Sequence, residues 1–202
     1  MLTRKLPLLG ALVLALGLAS ISLNAALAAD KPSNAKKQTK AELYLTAVEA
    51  HQLLQAKPEA ILIDVRDPAE QMFTGATAEA DLFVPLKRMD TSAWNAKKQT
   101  FAMKDNPAFA DRVEAGLAKL QAGKDTPLIF MCRSGSRSSK AADRMFARGY
   151  TQTYTIIDGF EGAPLKEGVS KGVRALNGWR NSGLPWGYKL PKEKLAFAAM
   201  KE

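Results

Sequence analysis

Any chemistry in this chain must come from few side chains, because its 202 residues include one cysteine and one histidine. Cys132 stands in the run Met131-Cys132-Arg133-Ser134-Gly135-Ser136-Arg137, with two arginines, two serines and a glycine in the five positions after the thiol. A cysteine that merely fills a core, the usual fate of a free thiol, needs no such company. A loop of this length can curl so that successive N–H groups point at one spot, and Gly135 supplies backbone conformations denied to other residues. The helix expected after it adds a positive N-terminal end. Arg133 and Arg137 bracket the loop with fixed charge. Each influence favours thiolate over thiol, so the pattern points to a nucleophilic sulfur in an anion-binding cradle. The same counts exclude an internal disulfide and a cysteine metal cluster, and His51 alone cannot build a histidine metal site. His51 reads as a helix-surface residue, and no metal or other cofactor is implied.

The elements that must hold this loop can be read on either side of it. Residues 127–131 form a short apolar run of the kind buried on both faces of a sheet. Ala141, Ala142, Met145 and Phe146 predict a helix leaving the loop and closing at Gly149. Residues 60–65, 82–84 and 153–157 read as further strands, the last followed by the turn Asp158-Gly159. Thr46 is an expected N-cap for a helix carrying Ala47, Val48, Ala50, Leu53 and Leu54, and Pro68 suits the first position of a short helix over 68–73. Phe109, Val113, Leu117 and Leu120 mark another helix, and short ones are expected over 175–181 and 193–200. Strands alternating with helices predict an α/β domain with a central, mostly parallel sheet and helices on both faces. Ligands in such sheets bind beyond the carboxyl ends of the strands, where Cys132 lies.

Residues 1–29 read as a secretory signal peptide: Arg4 and Lys5, an apolar run over 6–18, and Ala26-Leu27-Ala28 as a cleavage pattern. The expected compartment in a bacterium is the periplasm, with no stable membrane insertion after cleavage; the alternative is an uncleaved anchor facing the same space. Residues 30–44 are expected to be a basic linker, 45–190 the folded domain and 191–202 a helical tail. The insertion over 87–106 is long and basic, expected as an irregular surface excursion with Trp94, Phe101 and Met103 folding part of it back. The net charge of +9 suits small anions, membranes or nucleic acid alike, but no nucleic-acid-binding motif accompanies it.

Leu62-Ile63-Asp64-Val65-Arg66, the Cys132 to Ser138 loop, Asp158-Gly159-Phe160-Glu161-Gly162 and Gly178-Trp179-Arg180-Asn181-Ser182-Gly183-Leu184-Pro185-Trp186 together resemble a rhodanese-like domain, in the family's order. One departure is Phe73-Thr74-Gly75-Ala76-Thr77 where many relatives carry Gly-His-Ile. The resemblance implies a thiosulfate sulfurtransferase of single-domain, exported form. Cys132 would take the outer sulfur of thiosulfate or a related anionic donor as a persulfide and pass it to cyanide or a thiol. Arg133, Ser134, Gly135, Ser136 and Arg137 would bind the substrate, the arginines positioning its oxyanion. Asp64 and Arg66 would be structural support.

Two other functions remain open on the sequence. A persulfide carrier or binding module for one protein partner would use the same cysteine without free turnover. A cysteine-dependent phosphatase or arsenate reductase fits less well, because those loops hold five residues between Cys and Arg and only four intervene here.

Overall fold

Five short parallel strands, almost all of whose residues are buried, organise the computed structural model, which describes residues 28–195. In chain order these are β1 (Tyr44–Leu45), β2 (Ile61–Asp64), β3 (Leu82–Phe83), β6 (Leu128–Met131) and β7 (Thr153–Ile156). Their spatial order is β1-β7-β6-β2-β3, and every neighbouring pair is parallel. Strands β4 (Lys87–Asn95) and β5 (Thr100–Asp105) make a separate antiparallel hairpin. Helices α1 (Ala47–Ala56), α2 (Pro68–Thr74), α3 (Phe109–Lys119) and α4 (Ser136–Phe146) connect them.

Both faces of the sheet are buried, as the unbroken apolar runs require. Ile61, Ile63, Phe130 and Cys132 face a core shared with Phe109 and Val113 of α3 and Ala141, Ala142 and Met145 of α4. Leu62, Ile129 and Met131 point the other way, to Ala50 and Leu53 of α1, Phe160 and Trp179. Helices thus cover both faces, as expected. Local signals set their starts: Thr46 and Glu49 form a reciprocal capping box on α1, and Asp67 and Glu70 do the same on α2 behind Pro68.

Three expectations are corrected. Residues 30–44 are folded rather than a free linker: a 3-10 turn over Ala35–Lys37 lies against α4, Ser139 Oγ donates to Lys36 O at 2.8 Å, and the Lys40 N–H donates to Asp143 at 2.7 Å. Those partners lie about a hundred positions away, so local composition could not show them. The insertion is not irregular, since Lys87 to Asp90 pair in sequence with Asp105 to Ala102 and, after a bulge, Trp94 and Asn95 pair with Phe101 and Thr100. Nor does it fold back, for Trp94 and Phe101 are 62% and 45% exposed. The helix expected over 175–181 shrinks to a 3-10 turn at Trp179–Asn181, because the preceding glycine-rich stretch hydrogen-bonds to itself instead. Of the helical tail, a 3-10 turn at Lys192–Lys194 is described. The rest, like most of the expected signal peptide, lies outside the described residues. Among the described residues, no helix is long and apolar enough to cross a membrane.

Candidate active site

β6 delivers Cys132 to the carboxyl end of the sheet, and the loop then turns back over its sulfur. The Gly135 N–H points at Cys132 Sγ, 3.2 Å away. Gly135 makes that possible: its φ is +101°, and a Cβ there would lie 2.3 Å from Ile157 O. It is also the N-cap of α4, so the sulfur sits at the positive end of an eleven-residue helix. The turn after β7 braces the loop from outside. Phe160 N–H donates to Cys132 O at 2.8 Å, and Glu161 N–H donates to Arg133 O at 3.0 Å. Gly159 allows this approach, since a Cβ on it would lie 2.5 Å from Cys132 O.

Arg137 reaches back to α2, where Glu70 holds its guanidinium by two bonds of 2.5 and 2.6 Å. Burial works against both charges. The close pairing outweighs it, so the Glu70 carboxyl is held below its ordinary value and Arg137 above its own. A fixed cation thereby faces the loop without a hydrogen bond from it to the thiol. Arg133 is exposed and makes no side-chain hydrogen bond among the described residues. Ser134 and Ser136 are half-buried at the loop's rim.

Asp64 and Arg66 lie away from the thiol, on the opposite face of the sheet. They form a completely buried ion pair of 2.6 Å, and Arg66 also donates to Thr74 Oγ1 and Gly75 O. Its guanidinium stacks 3.9 Å over the Phe160 ring. Phe160 in turn holds Cys132 O, so this pair braces the loop through one residue.

Three nearby residues escaped the sequence reading. Ser138, fully buried, places its hydroxyl 3.5 Å from Cys132 Sγ, 3.0 Å from Gly135 O and 2.8 Å from Thr155 Oγ1. Its signal was present: a polar residue on the stripe continued by Ala141, Ala142 and Met145. Glu70 could be read as a cap, but not as the partner of a residue on another element. Arg174, from the loop after Gly162, donates to Gly162 O. Burial, then neighbouring Arg133, holds it below the usual guanidinium value.

Comparison with known proteins agrees with this geometry. The model of the rhodanese-like domain family matches residues 46–163, more than half of the chain. The chain belongs to that family, and a sulfurtransferase-type role follows at that level. Among curated relatives, "Uncharacterized protein RP600" of Rickettsia prowazekii (strain Madrid E) is 29% identical over 143 residues, covering 70% of this chain and 94% of its own. Among solved structures, the crystal structure of Rv0390 from M. tuberculosis is 31% identical with a TM-score of 0.54, covering 72% of this chain and 97% of that one.

Proposed function

We propose that this protein is a thiosulfate sulfurtransferase working through a persulfide on Cys132. The thiolate attacks the outer sulfur of thiosulfate, the S–S bond breaks, and sulfite leaves with the electron pair. A thiol or cyanide then attacks the outer sulfur of the persulfide, and Cys132 departs as thiolate. The observation that carries this reading is the Gly135 N–H on Cys132 Sγ at the start of α4, in a loop with four residues between Cys132 and Arg137. An N–H donated to the sulfur, with no rival acceptor among the described residues, stabilises a sulfur anion in either state. Arg133 and Arg137, with Ser134, Gly135 and Ser136, supply the charge and donors for the departing oxyanion.

The experiment mixes the purified protein with thiosulfate and cyanide and follows thiocyanate, with Cys132→Ser as control. Turnover that vanishes in the variant is the expected result. Sulfur loading without turnover would instead make the protein a carrier. Neither would sink the reading and move attention to phosphate or arsenate. We also propose export to the periplasm with cleavage after Ala28 or Ala29, tested by the N-terminal sequence of protein recovered from that compartment. An intact leader in the membrane fraction would contradict it.

A further inference from the structure

The β4–β5 hairpin has no part in the chemistry above, yet it leaves the sheet at the end where Cys132 lies. All five central strands are parallel, and β4 begins four residues after β3 ends, as the Cys132 loop begins where β6 ends. Its base is tied to the site: Met89 N–H donates to Asp67 at 2.9 Å, and Asp67 caps the helix whose Glu70 holds Arg137.

Register sorts the hairpin's residues onto two faces. Met89 pairs with Met103 and Trp94 with Phe101, so these four share one face, with the two aromatic rings edge to face at 6.0 Å. All four are exposed, Trp94 by 62%, and among the described residues no element packs over them. Arg88 and Lys104 pair on the opposite face, and Lys97 and Lys98 occupy the turn. A two-stranded ribbon is marginal alone in water, and one carrying four large apolar side chains on an open face gains stability from a partner. At about 3.4 Å per residue, nine residues reach ~30 Å, far beyond the span of a small thiol.

We infer that this hairpin is a docking arm for an acidic protein that receives the sulfur from Cys132 on its own cysteine. The inference rests on the sulfurtransferase reading and names the acceptor's class. Charge selects the partner: Lys97 and Lys98 stand at the end of the apolar face, in a hairpin whose five basic residues outnumber Asp90 and an Asp105 already paired to Arg144, and call for an acidic surface beside an apolar patch. A bilayer fits less well, because the lysines sit at the tip and the apolar residues along the side. In the transfer, the partner's thiolate attacks the outer persulfide sulfur, the S–S bond breaks, and Cys132 leaves as thiolate while the partner becomes the persulfide.

The test compares two acceptors after loading with thiosulfate: dithiothreitol, and a synthetic cysteine peptide rich in Asp, Glu, Leu and Phe. Two double variants are used, Trp94→Ser with Phe101→Ser, and Lys97→Glu with Lys98→Glu. Both are expected to raise KM for the acidic peptide about tenfold or more and to leave dithiothreitol kinetics unchanged. A peptide in which Lys replaces the acids should gain nothing from the arm. Equal effects on both acceptors, or none on the peptide, would overturn the assignment. So would hairpin-dependent co-sedimentation with phosphatidylglycerol vesicles, or a dimer lost on the aromatic substitutions, with peptide KM unmoved. Failure of the unsubstituted protein to load sulfur on Cys132 would instead remove the sulfurtransferase reading, and the arm's assignment with it.

Discussion

Gly135 concentrates the site's demands on one residue: a left-handed backbone, contact with Ile157 and an N–H aimed at the thiol. Gly135→Ala should cost ~1–3 kcal/mol of stability from strain alone. It should also lower sulfur loading steeply, as the clash pushes the N–H off the sulfur; thermal melting and intact mass read the two effects separately. Arg66 shows the other risk of burial. Arg66→Ala leaves the Asp64 carboxylate buried without its partner, at a cost of about 3–5 kcal/mol. Urea unfolding should show that loss, with Arg66→Lys recovering only part because an ammonium lacks the planar fork that meets both Asp64 oxygens. Glu70 adds a pH dependence. Its folded pKa lies below the ordinary glutamate value, so its contribution is fully present above that ordinary value and fades as pH falls through the depressed one. The stability gap between the protein and Glu70→Gln, about 1–3 kcal/mol near neutrality, should therefore close on acidification. A gap that widened in acid would contradict the pairing.

At the scale of elements, the parts with their own grammar were legible and the parts held by distant partners were not. Thr46 and Pro68 announced α1 and α2, and the apolar runs announced the buried strands, because caps and periodicity are local. The candidate loop was equally plain, since Cys132 to Arg137 is contiguous and its glycine and arginines carry their meaning in their spacing. Glu70 and Arg174 were not found, because each matters through a residue brought close only by folding, whereas Ser138 was missed although its place on the apolar stripe of α4 marked it. The segment over 30–44 is the sharpest case: it has no apolar periodicity, yet Ser139, Asp143 and Ile157 hold it in place. Ser139→Ala should cost ~1 kcal/mol and speed amide exchange over residues 35–40 while leaving the central strands protected. Unchanged exchange there would mean that the segment is held by something else.

On the scale of the molecule, the catalytic body and the hairpin are separable. The two cores contain no residue of β4 or β5, and the chain closes beneath them, where Asn106 N–H donates to Leu86 O at 3.0 Å and its side chain to Pro85 O at 2.7 Å. Replacing residues 88–104 by a short Gly-Ser turn should therefore shift Tm by only a few degrees, about 1 kcal/mol or less. Thiosulfate-to-cyanide transfer should continue at close to its original rate. Loss of folding in that deletion would show the ribbon to be part of the scaffold after all. Everything else converges on the end of β6. Parallel strands gather five connections there, and the Asp64–Arg66 pair, Phe160 and α2 all brace the segment that holds one sulfur atom.

The most direct measurement is therefore the intact mass of the protein after thiosulfate treatment and removal of the excess, without reductant, alongside Cys132→Ser. One added sulfur is expected on the unsubstituted chain, discharged by cyanide as thiocyanate, and none on the variant. An unchanged mass, or the same addition on the variant, would contradict the claim that Cys132 carries the sulfur.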